Sequence, residues 1–237
     1  MTTRSRGIIA AAASFVIWGI LPVYWNLVRH VPATEILAHR VIWSLAFVAV
    51  IIFAGKRWRK LKSYLEFPGA LIFFAAAALI GLNWLIYVWA VTHEHVVESS
   101  LGYYINPLVN VLMGVIFLGE RLAKLQIVAA VLAGIGVVIL GIELGRLPWI
   151  ALALAFIFGS YGLVRKTEKA GSVDSLFFET AILSPVALGY ILFLGFQGKG
   201  HFAAGDFGTT LVLFLAGAAT AFPLLLFAYG ARRIKYS

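Results

Sequence analysis

Cysteine is absent from the 237-residue chain, which excludes disulfides, thiol catalysis and thiolate metal ligation together. Charge is scarce. Asp, Glu, Lys and Arg make up 12% of residues, about half the share of an ordinary soluble domain. No long polar stretch separates the apolar runs, so there is no room for an inserted soluble domain. What is there is 62% hydrophobic, with a mean hydropathy of +0.96. These totals define an all-α integral membrane protein. The net charge of +9 would suit nucleic acid, but the basic residues gather at the ends of the apolar runs. That placement fits a lipid bilayer and argues against nucleic acid as a partner.

A spanning helix needs about twenty mostly apolar residues. Eight stretches qualify: 7–28, 35–54, 69–91, 99–118, 125–144, 148–164, 176–196 and 209–231. The first follows Met-Thr-Thr-Arg-Ser-Arg6, like a signal peptide, but it is too long for one and no small-x-small cleavage site follows. It is read as a retained span. One set of span ends carries Arg4 and Arg6, then Lys56, Arg57, Arg59, Lys60 and Lys62, then Arg121 and Lys124. The same set continues with Arg165, Lys166 and Lys169, and closes with Arg232, Arg233 and Lys235. The opposite ends carry only Arg29, Arg146 and Lys199. The asymmetry predicts that the first set, and both termini, are cytoplasmic.

Internal repeats come next. Gly81-Leu-Asn-Trp-Leu-Ile-Tyr-Val-Trp-Ala90 lines up with Ala221-Phe-Pro-Leu-Leu-Leu-Phe-Ala-Tyr-Gly230. Ala13-Ser-Phe-Val-Ile-Trp-Gly19 matches Ala155-Phe-Ile-Phe-Gly159 more loosely, and Glu35 in span 2 finds a counterpart in Glu179 of span 7. Spans 6, 7 and 8 therefore read as copies of spans 1, 2 and 3. Copying over five helices, an odd number, turns the second copy upside down, as in inverted-repeat transporters. The expected division is a first repeat over 1–145 and a partial second repeat over 146–237. A full second repeat would need two further helices after Arg232-Arg-Ile-Lys-Tyr-Ser237, and the expectation is a truncated chain.

The polar residues inside the spans are the candidate functional groups. Glu35 and His39 share one face of span 2, and Arg40 lies about 100° around from His39. A buried intramembrane arginine should face the bundle and find a carboxylate, with Glu98 the first choice and Glu35 the next. Two readings stand side by side: a site for a substrate anion or a coupling proton, and a structural ion pair locking spans 2 and 4. His39 near carboxylates suits proton coupling, and the alternative is an imidazole half solvated near the helix end. In span 4, Ser99, Tyr103, Asn106 and Asn110 recur at 3–4 spacing as one polar stripe, with Tyr104 and Pro107 beside it. Pro107 should kink the helix and free carbonyls, which at membrane depth must be buried or line a cavity. The alternative is interhelical hydrogen bonding with a packing kink.

Asn83 and Tyr87 share a face of span 3 with Trp84 next to it, and Trp18 and Tyr24 add aromatic walls from span 1. Such walls suit planar, partly apolar solutes, though aromatic residues also form interfacial belts. Glu179 reads either as a second pathway acid or as a helix-start residue. Gly119 should end span 4, with Glu120 and Arg121 fixing the turn that follows. Gly134, Gly136 and Gly141 with Ala129, Ala130 and Ala133 give span 5 small packing faces. His93 and His95 form a loop pair too sparse to make a metal site. No nucleophile–base set or glycine-rich phosphate loop is present, so no catalytic residue and no cofactor is expected.

Four stretches stand out together: Trp18-Gly-Ile-Leu-Pro-Val-Tyr24, Val31-Pro-Ala-Thr-Glu-Ile-Leu-Ala-His-Arg-Val-Ile-Trp-Ser44, Asn83-Trp-Leu-Ile-Tyr-Val-Trp-Ala-Val91 and Glu98-Ser-Ser-Leu-Gly-Tyr-Tyr-Ile-Asn-Pro-Leu-Val-Asn110. Phe117-Leu-Gly-Glu-Arg121 and Tyr161-Gly-Leu-Val-Arg-Lys166 belong with them. Together they resemble RarD-type proteins, permeases of the EamA group in the drug/metabolite transporter superfamily. The resemblance implies ten helices in two inverted five-helix repeats, of which eight are here, in the bacterial inner membrane. It also implies alternating-access transport of a small organic solute or drug-like metabolite. The other classes to weigh are an integral-membrane enzyme and a non-transporting receptor or assembly protein.

Overall fold

A computed structural model of the chain describes residues 3–58, 61, 64, 69–119, 123–143, 145, 147–167 and 170–231. Outside them lie the expected Glu120–Arg121 turn and the basic residues Arg59, Lys60, Lys62, Arg146, Lys169, Arg232, Arg233 and Lys235, as do the side chains of Arg4, Lys124, Ala129 and Ala133. The described residues form eight helices, each long and apolar enough to cross a membrane. In chain order they are α1 (Thr3–Asn26), α2 (Ala33–Ala54), α3 (Gly69–Thr92) and α4 (Val96–Leu118). They continue as α5 (Lys124–Glu143), α6 (Trp149–Lys166), α7 (Ser172–Phe196) and α8 (Phe207–Ala231). No strand occurs among the described residues.

All eight expected spans are present, and the largest differences lie at their starts. α7 begins at Ser172 rather than 176, and α4 at Val96 rather than 99, so Asp174 and Glu98 fall in first turns. A sequence reading stops a span at a charge. The exposed N–H groups and dipole of a helix start instead favour an acid there. Gly119 does end α4, at a left-handed φ of 64° that a residue with a Cβ adopts only with strain. α4 runs unbroken through Pro107.

The chain divides into two compact units, one of residues 1–77 with 169–237 and the other of residues 78–168. These packing units cut across the expected 1–145 and 146–237 repeats, because copying history and packing partners are separate properties. In the first unit α2 packs along both α7 and α8, and α1 packs along α8. The α2–α8 approach is extremely close, since a Cβ at Gly217 would overlap the backbone of Trp43 and Ser44. In the second unit α4 packs along α6, with α5 against α4. Leu101, Ile105 and Val109 meet Ala151 and Ala155 there. A Cβ at Gly159 would sit 2.7 Å from Val109 Cγ1, and one at Gly102 would sit 3.0 Å from the Ala151 carbonyl oxygen. Small residues let the backbones close up, which is how apolar helices gain contact when lipid competes for the same surfaces.

The register of α2 and α7 bears on the repeat. Glu35 is the third residue of α2 and Asp174 the third of α7, whereas Arg40 and Glu179 are each the eighth. Counted from the helix starts, the counterpart of Glu35 is thus Asp174, and Glu179 stands in register with Arg40.

Candidate functional site

In the first unit the polar groups of α2 form a buried column. Glu35, His39, Arg40 and Ser44 are all buried, Glu35 at 1% exposure. Glu35 does not take Arg40 as its partner. It accepts the backbone N–H of His201 at 2.7 Å on one oxygen and holds His201 Nδ1 at 2.8 Å on the other. His201 went unrecognised in the sequence because it lies in the loop after α7, 166 residues away. The only sequence signal was a lone histidine in a polar loop.

Arg40 Nε donates to Thr220 Oγ1 at 2.7 Å, and the Thr220 hydroxyl donates in turn to the Ala216 carbonyl at 2.9 Å. The guanidinium lies 5.3 Å from the ring centroid of the fully buried Trp25, within cation–π range. Tyr24 stands edge-on to Trp25 and donates its hydroxyl to the Val212 carbonyl, fastening α1 to α8. Trp18 is half-buried between Phe15 and Phe227, with ring centroids 5.5 Å from each. His39 is 3% exposed, its ring stacked on Phe202 at 4.7 Å. Neither of its nitrogens has a hydrogen-bond partner among the described residues. A buried polar group left so costs about 1–3 kcal/mol, so an imidazole in this state calls for a reason.

The loop over this column, residues 197–206, is pinned at its far end by Asp206. Its carboxylate accepts the backbone N–H groups of Gly208 and Thr209 and the Thr209 hydroxyl, capping α8. Those three donors, the Thr209 hydroxyl foremost, hold the Asp206 pKa below the ordinary carboxylate range. A depressed carboxylate stabilises the fold above its unfolded pKa, and that contribution fades as pH falls through the lowered folded value. Thermal stability should therefore drop on acidification below the ordinary range. Asp206→Asn should lower the melting temperature at neutral pH and flatten that acid limb. Melting curves of the detergent-solubilised protein across pH 3–7 check it.

α7 contributes two further buried acids, Asp174 and Glu179. Asp174 pairs with Arg57, Nη2 to Oδ2 at 2.8 Å, while its Oδ1 has no hydrogen-bond partner among the described residues.

The second unit holds the α3 and α4 candidates. Asn83, 1% exposed, donates to the Leu154 carbonyl at 3.2 Å and joins α3 to α6. Trp84 and Tyr87 are buried, and Tyr87 meets Tyr103 edge-on at 5.9 Å. The expected α4 stripe does not share one environment. Ser99 and Asn106 are buried, whereas Tyr103 and Asn110 are exposed, as is Tyr104 beside the stripe, at 80%. The apolar residues Leu101, Ile105 and Val109 take the face toward α6 and turn part of the stripe outward. Ser99 donates to the Val96 carbonyl of its own helix. Glu98 is buried, with His95 Nδ1 at 3.5 Å. Glu98 belongs to a different unit from Arg40. His93 and His95 both stack on Trp89, at 4.9 and 5.6 Å.

Eight apolar spans with buried acids, imidazole and guanidinium among them define a multi-pass helical membrane protein. The profile of the EamA-like transporter family matches residues 5–142. The chain is 47% identical over 233 residues to the uncharacterized transporter YojE of Bacillus subtilis, covering 97% of this chain and 78% of that protein. It is 46% identical over 235 residues to protein RarD of Streptomyces exfoliatus, covering 99% and 75% respectively. To protein RarD of Escherichia coli it is 43% identical over 233 residues, 98% and 79%. No solved structure matches. The chain belongs to the EamA-like transporter family, among its RarD-type permeases. The family's description and the name of the Bacillus subtilis relative both say transporter, which supports membrane transport at the level of the family.

Proposed function

We propose that the chain transports a small organic solute by alternating access, and that the buried column of α2 contacts the solute. The observation that carries this is His39, a buried imidazole with neither nitrogen partnered among the described residues, one residue from an arginine inside a membrane-length helix. Polar groups of this kind are expensive in a span and mark solute or ion paths. Arg40 supplies the positive charge and Trp25 a flat apolar wall, so the favoured solute is a planar organic anion. Tyr24 and Trp18 extend that wall in the first unit. Asn83, Trp84, Tyr87, Glu98, Ser99, Tyr103, Tyr104, Asn106 and Asn110 are the proposed pathway residues of the second, and Glu179 that of α7. The two inverted repeats, insertion in the bacterial inner membrane and a cytoplasmic N-terminus belong to the same proposal.

The test is flux in liposomes containing the purified chain. Accumulation of an aromatic carboxylate or a similar anion supports the reading, and product formation without flux would sink it. Proton coupling is part of the proposal, with Glu35 and His39 as the exchanging groups. A pH gradient alone should then drive flux, and Glu35→Gln should remove the gradient dependence. Flux indifferent to the gradient, with Glu35→Gln fully active, retires the coupling.

A further inference from the structure

The two ends of the α2–α7 pair are closed in the same manner. The start of α2 meets the loop that follows α7, through Glu35 and His201. The start of α7 meets the loop that follows α2, through Asp174 and Arg57. The helices therefore run antiparallel, and each places its third-residue carboxylate against a basic residue from the loop after the other. Both carboxylates are at most 1% exposed, and both basic partners reach solvent, with side chains 36% and 34% exposed. In each loop an aromatic residue comes directly after the basic one. Phe202 stacks on His39, one turn beyond Glu35, and lies 5.9 Å from Trp43. Trp58 stands edge-on to Phe177, three residues beyond Asp174, and stacks on Phe53 at 5.2 Å. A basic–aromatic dipeptide thus covers a buried acid and the following helical turn at both ends, about 33 Å apart along α2.

We infer that His201–Phe202 and Arg57–Trp58 are two exchangeable latches, one at each mouth of the α2–α7 pair, of which one opens in each half of the transport cycle. The inference rests on the alternating-access reading above and names the positioning residues that reading needs. Each latch holds its acid through a partner that reaches water, so separation lets water re-solvate both partners. Neither latch is fully satisfied, which keeps the closed arrangement shallow. Asp174 Oδ1 and both His39 nitrogens have no hydrogen-bond partner among the described residues while the latches are shut. A two-state element biased from either end is what alternating access requires.

The chain has no cysteine, so single introduced thiols report access without background. Ile36→Cys places a thiol beside Glu35, where the native isoleucine is fully buried, and Ser175→Cys places one beside Asp174, where the native serine is 1% exposed. In membranes, with a small maleimide, Glu35→Gln should raise labelling of the Ile36→Cys thiol about tenfold and lower that of the Ser175→Cys thiol, as a shifted two-state population requires. Asp174→Asn should do the reverse. The charge exchange Arg57→Asp with Asp174→Arg should return both rates to those of the unaltered latch, and it serves as the check if Asp174→Asn folds poorly. Labelling that rises at both positions together, stays unchanged at both, or is not restored by the exchange overturns the latches. Labelling needs no solute, so the two ideas fail separately. Reciprocal labelling without flux keeps the latches and removes the transport reading, whereas flux without reciprocity removes the latches alone.

Discussion

Gly217→Val is expected to abolish accumulation of folded protein in the membrane. A Cβ at Gly217 would occupy space taken by the backbone of Trp43 and Ser44, so no side-chain rotation relieves it. Ordinary overpacking costs about 1–3 kcal/mol because flexible side chains absorb much of the strain. Here α8 must move away from α2 as a rigid rod. That motion would stretch the Arg40–Thr220 bond at 2.7 Å and the Ser44–Gly217 contact at 3.5 Å. It would also separate Trp43 from Phe214, whose rings lie 4.6 Å apart. The loss should exceed the usual overpacking range and approach the whole stability of a small domain. Gly217→Ala should give the same defect in weaker form. Fluorescence-detected size-exclusion profiles of tagged variants measure the outcome, and a monodisperse Gly217→Val peak at wild-type height would refute it.

Arg40→Ala carries the second large effect, on transport. If Arg40 holds the solute anion, the change removes a charged hydrogen bond worth about 1.5–3 kcal/mol, or roughly ten- to 150-fold in apparent affinity. Thr220 keeps its bond to Ala216. On the solute-binding reading, folded yield should stay near wild type while flux at low solute concentration collapses. Arg40→Lys should recover part of the flux, because the charge returns without the planar fork. Flux and yield falling together would instead mark Arg40 as half of a structural ion pair. Yield by size-exclusion and flux in liposomes, measured on the same preparations, decide between the two.

Much of the fold was legible in the chain, for a local reason. Each span is a property of twenty consecutive residues, and hydropathy adds along them without knowledge of any partner. The starts of α4 and α7 were misread by a few residues because acids in first turns look like loop residues, although the helix dipole favours them. Gly119 was legible because a left-handed helix end has few residue types to choose from. The α4 stripe was legible only as a spacing. Which of its members are buried depends on Leu101, Ile105 and Val109 winning the contact with α6.

By itself the sequence determined that this is a membrane protein of eight apolar spans, with Glu35, His39, Arg40, Glu98 and Glu179 set inside or at the ends of those spans. Only the tertiary structure decided which groups meet. It gave Glu35 to His201 rather than to Arg40, brought Arg57 to Asp174, and put Arg40 between Thr220 and Trp25. Membership of a span depends on the apolarity of neighbours in the chain, whereas an ion pair depends on where two distant backbones pack. His201 and Glu35 lie 166 residues apart, and Arg57 and Asp174 lie 117 apart. No periodicity in the chain encodes such a distance. Antiparallel packing of α2 and α7 imposes it, by setting the start of each helix against the loop that leaves the other.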